Sequence, residues 1–162
     1  MNNENIEKWL CGVKKQTTDN EYALIKRAVK ILEGNEYADS NAPWGERHCL
    51  LPDYDSFKGI WNWDTAFHSM GVSRFDTDFA IENIDIYLQF QDDNGMLPDA
   101  IFCDGRRSDN FAKPPVMATA CEIVYKRSGD TEFLKRSYER LCRNEKFWIK
   151  HRCYKEMFFY DA

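Results

Sequence analysis

Residues 59–72 read Gly59-Ile60-Trp61-Asn62-Trp63-Asp64-Thr65-Ala66-Phe67-His68-Ser69-Met70-Gly71-Val72. Two tryptophans flank one asparagine, and a carboxylate follows at once. A tryptophan brings a large apolar ring and an indole N–H that needs an acceptor. Two such rings beside an acid suit a ligand that is flat, weakly polar and rich in hydroxyls. A sugar ring meets that description: its C–H face stacks on indole, and a carboxylate accepts hydrogen bonds from its hydroxyls. The same residues also read as a core pair at a helix start, with Asp64 as an N-cap or first-turn acid. The residues alone leave both readings open.

Outward from this stretch, helix patterns dominate. Tyr22, Ile25, Ala28, Val29 and Leu32 recur at helical spacing, and Gly34 follows as a stop. Residues 35–59 show neither the helical nor the strand period and contain Pro43, Gly45, Pro52 and Gly59, so they read as a long irregular segment. A short helix is predicted from Trp63 or Asp64 to about Gly71. Asp76 caps the next, through Gln91, with Phe79, Ala80, Ile84, Tyr87 and Leu88 facing inward. Asp92-Asp93-Asn94-Gly95 is a turn, and Met96–Ile101 is extended. Pro114-Pro115 opens a helix that stops near Gly129, and Asp130 caps another toward His151. The prediction is an all-α chain of five or six helices in αα-hairpins, with almost no strand.

Composition narrows the function. The 162 residues fit one domain or part of a larger one, and 43% are hydrophobic, 30% charged and 15% aromatic. A net charge of −5 disfavours nucleic acid as a partner. No apolar run approaches a membrane span, and residues 1–16 lack the pattern of a secretion signal, so a cytoplasmic setting is expected. The six cysteines form no C-x-x-C pair, and the three histidines have no ligand spacing, so neither a metal nor a cofactor is expected.

Several blocks follow in order: Trp61, Trp63, Asp64 and Phe67; Phe75, Asp76, Ala80 and Asn83; Gln91, Gly95, Met96, Pro98 and Asp99; Pro114 and Pro115; Gly129 and Asp130; Trp148 and Arg152. This run resembles glycoside hydrolase family 63 and its relatives, the mannosylglycerate hydrolases, bacterial glucosidases and trehalases. The resemblance covers residues 44–162, with 1–43 as a helical lead-in to the same single, partial domain. It implies an (α/α)₆ toroid and an inverting hydrolase with one carboxylic acid and one carboxylate base. It also implies that Trp61 and Trp63 wall the sugar and that Asp64 grips its hydroxyls. Lys113 stands where the family usually has a sugar-binding glutamine.

A twelve-helix ring needs on the order of 200 residues. These 162 therefore supply roughly half of it. The family's general acid belongs to a block resembling E-S-G-x-D-N-S that lies beyond Tyr160-Asp161, and the base lies further on. The expectation is an N-terminal part with no catalytic residue of its own, inactive alone. Its substrate-binding residues would be Trp61, Trp63, Asp64, Asp99 and Lys113. Its partners would be a small saccharide and either the missing C-terminal half or a second copy. The alternative is a non-catalytic carbohydrate-binding or assembly module. Asp53, Asp55 and Glu46 read as solvated loop acids. His68, one turn after Asp64, reads as a hydrogen-bonded histidine beside the core.

Overall fold

A computed structural model describes residues 1–109, 111 and 113–159. It begins with a helical pair, α1 (Asn3–Lys14) and α2 (Asp19–Gly34). Thr18 and Glu21 form a reciprocal capping box that starts α2. Two short strands follow, β1 (Glu36–Tyr37) and β2 (Cys49–Leu50), paired antiparallel. Then come β3 (Gly59–Trp61), α3 (Asn62–Val72), α4 (Thr77–Leu88), β4 (Ala100–Phe102) and β5 (Arg107–Ser108). The last elements are α5 (Met117–Ser128), α6 (Thr131–His151), β6 (Cys153–Tyr154) and β7 (Met157–Phe158).

The described residues thus hold six helices, within the five or six expected, with several very short strands between them. The three-stranded antiparallel sheet β3-β4-β5 departs from the all-α expectation. Strands of two or three residues are too short to display an alternating pattern, so the sequence hides them. The helix expected at Pro114 begins instead at Met117, with Val116 at its N-cap.

The core lies among α3, α4, α5 and the start of α6. Tyr87, Ile84, Val72, Val124 and Phe133 are fully enclosed there. Polar ties fix the layers. Asn83 on α4 accepts from the Leu50 N–H at 3.0 Å and donates to the Ser69 hydroxyl on α3 at 3.0 Å. Asp76 caps α4 by accepting from the Phe79 N–H and also accepts from the Asn2 N–H, which joins α1 to the body. The Asp85 carboxylate takes a two-pronged bond from Arg136, linking α4 to α6. Gly59 sits where β3 crosses closest to β4: a Cβ there would lie 2.6 Å from the Ile101 carbonyl oxygen. That contact excludes any side chain without moving the strand. Among the described residues no helix is long and apolar enough to cross a membrane.

Candidate functional site

The junction of β3 and α3 builds the site. Trp61 ends the strand with extended backbone, φ −118° and ψ 143°, and stands at the N-cap of α3. The Asn62 N–H donates to the Asp99 carbonyl at 2.9 Å, and the Asp99 N–H donates to the Ser108 carbonyl at 2.7 Å. Asp99 is therefore held from both sides, one residue before β4, and is only 3% exposed. Tyr87 reinforces this turn: its hydroxyl donates to the Pro98 carbonyl and is also hydrogen-bonded by the Asn62 side chain.

The change from pleat to helix swings the two tryptophans apart. Trp61 is half-buried and packs edge-to-face against Phe57 and Phe102, with centroids at 5.8 and 5.7 Å. Its buried indole nitrogen has no hydrogen-bond partner among the described residues. Trp63 stays 39% exposed. The Lys113 ammonium lies over the Trp63 ring, 5.5 Å from its centroid, and 3.4 Å from Asp99 Oδ1. That distance is long for a hydrogen bond, so the Lys113–Asp99 contact is an ion pair.

Asp64, half-buried in the first turn of α3, completes the group. The Trp63 indole N–H bonds to it. Burial pushes the Asp64 carboxyl above the usual carboxylate range, while the Lys113 charge pulls it back. Burial likewise raises Asp99; Lys113 again opposes the rise, and the neighbouring Asp64 charge adds to it. Of the five residues expected to bind a ligand, Trp63, Asp64, Asp99 and Lys113 converge, and the ring of Trp61 sits in the separate Phe57–Phe102 cluster. The sequence reading missed Asn62 and Tyr87 as supports. Their visible signs were the Asn between two tryptophans and the inward position of Tyr87 on its helix.

His68 lies one turn beyond Asp64. Its Nδ1 is buried without a hydrogen-bond partner among the described residues, which corrects the expectation of a hydrogen-bonded ring. Burial lowers its pKa to about 4, so the ring is neutral near pH 7. Asp53 accepts from the Asp55 and Ser56 N–H groups, closing its own loop. Among the described residues no group of three or more His, Cys, Asp or Glu could hold a metal ion.

A cavity of about 650 Å³ runs along α5 and α6 and meets the site at Asn62 and Lys113. Its walls are mainly apolar, with Met117, Leu134, Leu141 and Phe147 among them. Trp63, Asp64 and Asp99 do not line it. The carboxylate cluster and the apolar groove are neighbours that share one lysine.

Comparison with known proteins identifies the family. Residues 58–160 match the mannosylglycerate hydrolase MGH1-like glycoside hydrolase domain. A glucosylglycerate hydrolase of Mycolicibacterium hassiacum is 31% identical over 99 residues, which is 60% of this chain and 20% of that protein. An uncharacterized protein of Saccharomyces cerevisiae is 27% identical over 126 residues, 69% of this chain and 11% of that protein. Two crystal structures from Thermus thermophilus share the fold with a TM-score of 0.66. One is an uncharacterized conserved protein at 22% identity, and the other is a glycoside hydrolase family 63 mannosylglycerate hydrolase in complex with glucose at 21%. Each match covers 80% of this chain and 34% of the solved one. The chain thus spans about a third or less of the length of these relatives.

Proposed function

The chain belongs to the mannosylglycerate hydrolase MGH1-like glycoside hydrolase domain family, and from that premise we propose that Trp63, Asp64, Asp99 and Lys113 form part of the sugar subsite of an inverting hydrolase acting on glucosides or related small saccharides. One observation carries this reading: the Lys113 ammonium pairs with Asp99 and lies over the half-exposed Trp63 ring, whose indole N–H bonds to Asp64. An ionised carboxylate offers acceptors to adjacent hydroxyls, and the ring offers its face to C–H groups. Trp61 serves as a wall behind β3 rather than as the stacking platform. The carboxylic acid and the base that break the glycosidic bond come from sequence outside these residues, packed as the remaining part of an (α/α)₆ ring. The six free thiols support a reducing, cytoplasmic setting.

Glucose, or a methyl glucoside, titrated into the 162-residue chain tests the subsite. Wild type binds, and Asp64→Asn loses affinity by on the order of 1.5–3 kcal/mol, the worth of hydrogen bonds to a charged group. Unchanged affinity in Asp64→Asn and Trp63→Ala together would remove both from the subsite. The chain alone is expected to leave an aryl glucoside intact. Turnover abolished by Asp64→Asn or Asp99→Asn would place the catalytic carboxylates here instead.

The apolar groove favours a second reading, a non-catalytic assembly module. Phe111, Tyr138, Ile149 and Phe158 border it and are exposed. Apolar surface of this kind marks a place where another surface packs, either the remaining part of the ring or a second copy. A concentration-dependent dimer with no sugar binding would favour this reading over the first.

A further inference from the structure

We propose that Lys113 is a positioning residue whose ammonium, lodged between the Trp63 ring and Asp99, keeps both Asp64 and Asp99 charged and so ready to accept sugar hydroxyls; this rests on the subsite reading above. The geometry supplies the argument. Asp99 is buried, its Oδ1 has no hydrogen bond among the described residues, and the nearest positive charge is Lys113 at 3.4 Å. The same ammonium is fixed laterally by the Trp63 face at 5.5 Å. Lys113 is thus placed by two contacts, one to a ring and one to a carboxylate.

The other charged groups around the pair do not replace it. On α3, His68 is neutral. On α4, Tyr87 is buried and raised far above its ordinary range by that burial, so it stays uncharged. Beyond β4, Arg107 is bound to Asp92 at 2.9 Å and to Asp109 at 3.0 Å, so its charge is already shared between two acids. Two carboxylates thus share one nearby cation. Without it, two partly buried like charges would lie close to each other with no cation beside them, and the pH at which they take up a proton would rise. A protonated carboxyl donates where the sugar needs an acceptor, so this loss reaches the ligand through Asp64 and Asp99. Both carboxyls are raised by burial and lowered by Lys113, in the sense this geometry requires.

The test compares wild type, Lys113→Met, Lys113→Gln and Lys113→Arg by carboxyl-carbon NMR across a pH titration. Lys113→Met and Lys113→Gln are expected to raise the midpoint of Asp64, Asp99 or both by about one unit or more, the usual influence of a close opposite charge. Lys113→Arg keeps the charge and is expected to stay near wild type. Unmoved midpoints in whichever neutral variant folds would overturn the proposal. So would an equal shift in Lys113→Arg, which would make the effect one of shape. Glucose titrated over the same pH range separates this claim from the subsite itself. Wild type that takes up no glucose sinks the subsite reading, while the carboxyl midpoints still decide whether Lys113 holds the charges. Where wild type does bind, Lys113→Met is expected to lose glucose at a higher pH than wild type as the solution is acidified; an identical pH profile would also overturn the proposal.

Discussion

Phe133 and Ile149 lie on one helix, α6, in opposite surroundings. Phe133 has 0% of its surface exposed and Ile149 has 58%. Around Phe133 the apolar groups of α4 and α5 are closed, and Arg136 beside them pairs with Asp85. Around Ile149 the side chains border a groove that nothing among the described residues fills. The contrast separates packed core from open surface along one helix. The closed end holds the chain together, the other flank presents surface, and the carboxylate cluster lies on the border between them, reached through Lys113.

Mutations can break or sharpen that contrast. The largest effect is expected at the closed end, where Phe133→Ala should cost about 3–5 kcal/mol in urea unfolding, because the cavity it leaves cannot collapse fully. His68 should give the next largest effect, read as a pH dependence. Its folded pKa is depressed to about 4, so the unfolded chain binds the proton more tightly. The stabilisation it contributes is present above pH ~6.5, the ordinary value for histidine, and is lost as pH falls toward 4. The difference is on the order of 3 kcal/mol, and His68→Leu should flatten it in thermal scans across this range. Asn83→Ala should cost about 2 kcal/mol, since it strands the buried Leu50 N–H and removes a partner of Ser69. Ile149→Ala should change stability by less than about 0.5 kcal/mol. A large loss there would mean that the groove is covered in solution and would break the contrast.

Much of this fold can be read in the sequence, for reasons that differ by residue. The later helices announce themselves through periodicity and caps: Asp76 and Asp130 each bond to N–H groups of the first turn they precede. Many of the residues that carried the family resemblance turn out to serve the scaffold. Asn83 ties three elements together, and Gln91 donates to the carbonyls of Gly95 and Arg140. Gly95 has a positive φ of 94°, and a side chain there would strike the Arg143 carbonyl. The β3-β4-β5 sheet stayed hidden because its strands are shorter than one period of alternation can reveal. The site was legible only in part. The W-x-W-D stretch placed Asp64 and Trp63 together, and Asp99 was legible through the block Gln91, Gly95, Met96, Pro98 and Asp99. The parting of Trp61 from Trp63 depends on the switch from strand to helix between them, which residue types do not encode. The meeting of Lys113 with Asp99 spans a sequence separation that no local pattern reports.

The central claim is that sugar is held at the border cluster and not in the apolar groove. Amide and indole NMR shifts recorded on adding glucose to the wild-type chain test it most directly. The account predicts concentration-dependent shifts at the Trp63 indole N–H and at the amides of Asp64, Asp99 and Lys113, with Leu141 and Ile149 unmoved. Shifts confined to α5 and α6, or none at saturating glucose, would contradict it.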